Sequence, residues 1–182
     1  MKKVVLTFGL IAGSTIAALV WGTSILVEKN AIGFERLEIV GYTSMLIALS
    51  FVFFGIKSYR DNYANGTIKF WKGVQVGILI SLIAGVMYWG GALTYGLANP
   101  GFQERFMAKF TELKVGKLEA SGAPQDQIEN AKKEVEMMGS LFKNPLLFFL
   151  VCLMEILPVG IVVTLISAAL LRRRELLPAQ PA

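Results

Sequence analysis

The sequence predicts an all-α fold: an integral membrane bundle of four transmembrane helices, with an extracytoplasmic helical hairpin between helices 3 and 4. Three observations carry this. Apolar stretches at 4–27, 37–56, 74–98 and 145–171 are each long enough to cross a hydrocarbon core roughly 30 Å thick, which takes about 20 residues of helix. Ionisable groups are nearly excluded from them. Segment 99–144 is polar instead, with apolar residues at helical spacing. The 182 residues read as a single membrane domain, 1–182, in which 99–144 is the one outer segment long enough for structure of its own.

The first stretch opens like a secretory signal, with Lys2-Lys3 before an apolar run. The run outlasts a signal core and the cleavage pattern near Trp21-Gly22 is poor, so it reads as a retained helix. It carries two rows of small residues, Gly9-Gly13-Ala17 and Ser14-Ala18-Gly22. The third stretch carries another, Gly73, Gly77, Ser81 and Gly85. Lipid gives little hydrophobic drive between helices, so close backbone approach along such rows supplies much of the association. Two readings follow: the rows join helices 1 and 3 within a monomer, or one of them forms a homo-oligomer seam.

Between the second and third stretches, residues 57–72 interleave Tyr59, Tyr63, Phe70 and Trp71 with Lys57, Arg60, Lys69 and Lys72, and Asn65-Gly66 marks a turn. Aromatic rings favour the interface, and basic groups there gain roughly 1 kcal/mol each from anionic lipid. Ordinary anchoring is one reading and a recruited cytoplasmic partner the other, with Tyr59, Arg60, Asp61 and Gly66 as the candidate interface. An exposed Arg60–Asp61 pair is worth only about 0–1 kcal/mol.

Orientation follows from lysine and arginine placement. Lys2 and Lys3, then Lys57, Arg60, Lys69 and Lys72, then Arg172, Arg173 and Arg174 flank one side. The other short loop balances Lys29 and Arg36 against Glu28, Glu35 and Glu38. The bias places both termini in the cytoplasm, with anionic lipid at that face. Segment 99–144 is then outside, neutral with seven basic and seven acidic residues. Its apolar positions Phe102, Phe106, Phe110 and Leu113, then Ile128, Val135, Met138 and Phe142, are interrupted by Ser121-Gly122-Ala123-Pro124. Pro124 suits the first turn of a second helix. The hairpin either caps the bundle, packing on itself or on the membrane surface, or offers a partner-binding face. The tail 178–182 is a short low-complexity stretch.

In the fourth stretch, Glu155 is the one ionisable group deep in any span. It lies roughly 15 Å from Pro145 and about 25 Å from Arg172 along a helix. A carboxylate at such depth costs about 2.5–3.5 kcal/mol on insertion scales and turns to protein or water. Burial favours its neutral acid. Pro158 should kink the helix and strip the Met154 carbonyl of its donor. Tyr42, Ser44 and Tyr88 are at similar depth, and a buried Glu155 bonded to Tyr42 or Tyr88 is expected. On that view Glu155→Gln is tolerated and Glu155→Leu costs bundle stability. Three roles compete: a tie between helices, a proton- or cation-carrying carboxyl in transport, and a subunit contact. Transporters normally show repeated halves, paired broken helices or a polar path; none is visible in the sequence.

Catalytic chemistry is not signalled. Histidine is absent, and lone Cys152 cannot form an internal disulfide or hold zinc. No phosphate loop, dinucleotide fingerprint, metal-ligand cluster or nucleophile elbow occurs. The chain reads as no enzyme, with no cofactor, no metal and no nucleic-acid partner; its +5 net charge sits at membrane edges rather than on one basic face.

The run Glu38 to Gly77 has a family pattern: Gly41-Tyr42, Phe54-Gly55-Ile56-Lys57-Ser58-Tyr59-Arg60-Asp61, Asn65-Gly66-Thr67-Ile68-Lys69-Phe70 and Gly73-x-x-x-Gly77. The last span adds Met154-Glu155-Ile156-Leu157-Pro158-Val159-Gly160 and Leu171-Arg172-Arg173. Over nearly its whole length the chain resembles the bacterial membrane family catalogued as domain of unknown function 4199. The resemblance implies a four-helix inner-membrane protein of Gram-negative bacteria with an outward helical segment before the last span. It brings no activity, and it draws attention to Tyr59, Arg60, Asp61, Gly66 and Glu155. The reading is therefore a non-catalytic structural or accessory membrane subunit, as a homo-oligomer or with another membrane subunit. A small proton- or cation-coupled transporter using Glu155 is the alternative.

Overall fold

The computed structural model describes residues 1–172, which form six α-helices and a short 3₁₀ turn at Phe34–Arg36. Arg173, Arg174 and the tail 178–182 lie outside the described residues. No strand occurs among the described residues. Helices α1 (Lys2–Glu28), α2 (Leu37–Tyr63), α3 (Phe70–Ala98) and α6 (Pro145–Arg172) are long and apolar enough to cross a membrane. Helices α2 and α3 overrun their apolar stretches because the flanking Lys57–Tyr63 and Phe70–Gly73 segments suit a helix as well as an interface. The carboxylate-free start of α6 is capped by Asn144, whose Oδ1 accepts from the Leu146 and Leu147 amides at 3.0 and 3.3 Å. Pro145 follows at the first helical position, where its missing donor is harmless.

Around the bundle the order is α1, α2, α6, α3, with α2 and α3 also meeting across the centre. Ala12, Leu49, Val52, Ile56, Val76, Ile80, Ala84 and Ile156 fill that centre without exposure. The small-residue rows decide which faces approach. A Cβ added at Gly9 would lie 2.9 Å from Ile83 Cβ, at Gly13 2.7 Å from Met87 Cβ, and at Gly91 2.9 Å from Ala17 Cβ. This seam advances in the same direction on both chains, so α1 and α3 are parallel.

The row on α3 faces elsewhere. Added Cβ atoms would lie 3.0 Å from Ala168 Cβ at Gly73, 2.5 Å from Thr164 Cγ2 at Gly77 and 2.8 Å from Leu153 Cδ2 at Gly85. Gly160 is equally close to Ser81, at 2.8 Å from its Oγ. The expectation that this row meets helix 1 is corrected: it forms an antiparallel seam with α6, and α1 uses a different stripe of α3. A row at period four creates a smooth face but names no neighbour. The remaining row, Ser14-Ala18-Gly22, is exposed on α1.

Helices α4 (Phe102–Ala120) and α5 (Gln125–Lys143) form the hairpin. Val115, Ile128, Ala131 and Val135 are buried because the two helices turn their apolar faces on each other. Gly122 (φ 69°) reverses the chain, with its amide donating to Glu119 and that of Ala123 to Leu118. That left-handed position suits glycine. Pro124 sits just before α5 rather than within its first turn.

Candidate functional site

Helix α6 lies between α2 and α3 and buries Cys152, Ile156, Gly160, Thr164, Ser167, Ala168 and Leu171. That inward stripe leaves Met154, Glu155, Pro158 and Val162 exposed. The expected burial of Glu155 is corrected: its side chain lies on the perimeter of the bundle. The residue at 156 occupies the core, and a step of about 100° along the helix carries 155 to the outward flank that also bears Pro158, Val159 and Val162.

Tyr88 reaches the same flank from α3. Its hydroxyl donates to Glu155 Oε2 at 2.7 Å. Tyr42, 54% exposed on α2, stands on this flank as well. It lines a shallow apolar groove of about 360 Å³ with Leu46, Pro158, Val159, Val162 and Val163. The four intramembrane candidates are thus gathered on one outer face, but Tyr88 rather than Tyr42 bonds the carboxyl. Ser44 is buried away from them. Helix α6 runs unbroken through Pro158. Among the described residues Glu155 has no ion pair, and no cluster of metal ligands occurs.

In the second candidate group Tyr59, Asp61 and Gly66 are half-buried, and Arg60 is buried. Arg60 is 1% exposed and is the largest fully buried side chain described. Its Nε donates to Asp61 Oδ1 at 2.7 Å, and its Nη1 lies 3.5 Å from the Leu171 carbonyl at the end of α6. A helix end carries partial negative charge on its last carbonyls, so a cation is favoured there. Gly66 (φ 75°) donates its amide to the Arg60 carbonyl at 3.1 Å, closing the turn at the end of α2. Tyr59 stacks on Tyr63 with ring centroids 6.0 Å apart. Arg60 and Asp61 do pair, as the interfacial reading allowed, but the arginine is buried in a joint between the ends of α2 and α6.

A third cluster was not singled out by the sequence. Glu28 at the end of α1 accepts from Tyr95 Oη at 2.6 Å and from Arg105 Nη2 at 2.5 Å. Trp21 donates its indole N–H to the Gly91 carbonyl at 2.9 Å and packs edge-on against Tyr95. Tyr95, 2% exposed, touches Phe102, which leads through Phe106 to Phe34. The hairpin is thereby fastened to the ends of α1 and α3. The partners come from three helices, so no local spacing announces them; a Glu and a Tyr at matching ends of the parallel helices were the available sign.

The geometry supplies one hydrogen-bonded acid on a membrane-facing surface, one buried arginine joint and one polar latch under the hairpin. Comparison with curated proteins and with solved structures finds no match. The family model that matches, over residues 7–173, is described as protein of unknown function (DUF4199), and the chain belongs to that family.

Proposed function

We propose that the protein is a non-catalytic accessory subunit of a bacterial inner membrane that docks another membrane protein on the outer face of α6. The lysine and arginine asymmetry supports termini and an α2–α3 turn that face the cytoplasm, with the hairpin outward. The observation that carries the reading is the Tyr88–Glu155 pair on an exposed flank. A hydrogen-bonded acid facing lipid is costly, whereas the same acid facing a second protein becomes a contact. The absence of histidine and of any catalytic motif in the sequence supports the non-catalytic part. Transport is the weaker reading, because a carrier carboxyl needs a water path and this one sits on the perimeter.

The test is photo-crosslinking in native membranes from Met154, which is 78% exposed beside Glu155, with Leu6, 54% exposed on α1, as control. A defined protein adduct from Met154 and none from Leu6 is expected. Lipid adducts alone, with the chain purified from mild detergent as a bare monomer, overturn the reading.

A further inference from the structure

We infer that the occupant of the α6 face is a membrane-spanning helix of a different protein carrying a lysine or arginine level with Glu155. The inference rests on the docking reading above and names the chemistry of the partner.

Three observations converge on it. Glu155 is exposed on the outer face and accepts from Tyr88 through Oε2, which holds the carboxyl in place. A held acceptor is complementary to a donor, and charged groups within a membrane pair with one another. Glu155, Pro158, Val159 and Val162 recur at helical spacing along α6, and the last three line the groove with Tyr42. An acid above an apolar groove on one such stripe matches a helix lying along α6, with its cation at Glu155 and an aliphatic side chain in the groove.

Depth excludes the other sources. Glu155 lies about 5 Å from the middle of α6, hence about 10 Å inside a core roughly 30 Å thick, beyond lipid headgroups. A second copy cannot supply the cation, because no lysine or arginine lies within the apolar stretches of this chain. Arg60, at the far end of α2, is buried against Asp61 and Leu171.

The full chain, reconstituted in phosphatidylcholine vesicles, can be titrated with labelled synthetic leucine–alanine helices bearing one central Lys, Asn or Leu. Association is read by energy transfer. The Lys helix should bind about tenfold more tightly than the Leu helix. Glu155→Gln, which keeps volume and hydrogen bonding, should bring Lys binding down to the Leu level. Tyr88→Phe should weaken Lys binding by less. Equal binding of the Asn and Lys helices, or a Lys preference that survives Glu155→Gln, overturns the cation while leaving docking intact. Glu155-dependent self-association in place of Lys binding assigns the face to a second copy and overturns the inference. If all three helices bind equally weakly and crosslinks from Met154 reach only lipid, docking itself falls.

Discussion

The guanidinium of Arg60 lies 3.5 Å from the carbonyl of Leu171, joining the end of α2 to the end of α6 across most of the chain's length. Burying an arginine is expensive unless its partners are all in place, and removing one member of a buried pair typically costs about 3–5 kcal/mol. Arg60→Ala should therefore lower stability by about that amount in detergent unfolding, and Arg60→Lys should recover only part of it because an ammonium lacks the planar fork. A change in Arg60→Ala below about 0.5 kcal/mol, the range of ordinary surface substitutions, would remove the joint from the list of structural determinants.

The α3–α6 seam should be intolerant of a single methyl. A Cβ at Gly77 would sit 2.5 Å from Thr164 Cγ2, while one at Gly90 would meet nothing within 4 Å. Gly77→Ala should cost about 1–3 kcal/mol by overpacking, and Gly90→Ala close to nothing. Adding Thr164→Ala to Gly77→Ala should restore much of the loss. Unfolding midpoints of the four proteins decide the matter, and no rescue in the double variant would mean the clash is relieved elsewhere.

The perimeter position of Glu155 limits the harm expected of Glu155→Leu to the loss of its bond from Tyr88. Leucine eases insertion of α6 by about 2.5–3.5 kcal/mol on insertion scales and forfeits one interhelical hydrogen bond, worth roughly 0.6–1.7 kcal/mol. Glu155→Leu and Tyr88→Phe should therefore lower bundle stability by similar small amounts, and the double variant should be no worse than either. Losses that simply add would show that the two side chains act independently.

The latch under the hairpin divides into a strong and a weak part. Arg105 and Glu28 are 57% and 27% exposed, and such pairs contribute about 0–1 kcal/mol. Arg105→Ala should leave global unfolding nearly unchanged but speed amide hydrogen exchange in α4. Tyr95→Phe should cost more, because it strips a buried hydroxyl from its carboxylate. Unchanged exchange in α4 for both variants would show that the aromatic contacts alone hold the hairpin.

Orientation is open to a chemical label. In a Cys152→Ala background, a cysteine at Ala120 should react with a membrane-impermeant maleimide in intact cells, and one at Ala64 only after permeabilisation. The opposite pattern inverts the assignment of the two faces.

The spans and the hairpin could be read from the sequence because crossing hydrocarbon demands long apolar runs and a helical hairpin needs only its own two faces. Which way each span turns could not. In water, a core face is more apolar than its opposite, but lipid is as apolar as leucine, so Leu46 and Leu49 look alike although the first is 55% exposed and the second 0%. The same lack of contrast hid the outward turn of Glu155 and sent the glycine row of α3 to the wrong neighbour. Arg60 misled for a different reason: a basic residue at a span end normally anchors to headgroups, and only the return of α6 to that spot buries it. The Glu28–Tyr95–Arg105 set depends on three helix ends meeting, which no single stretch of sequence encodes.

Synthesis delivers α1 to the bilayer before α3 exists. Until Phe70–Ala98 is inserted, the face bearing Gly9 and Gly13 has lipid against it instead of Ile83 and Met87, and the Trp21 indole lacks its Gly91 carbonyl. Helix α2, already packed on α1, is not what meets Gly9 and Gly13, so this smooth surface stays uncovered in the meantime. A stalled or truncated nascent chain thus presents an unoccupied glycine seam to every other newly inserted helix, so the order of translation makes the first span the weak point of assembly.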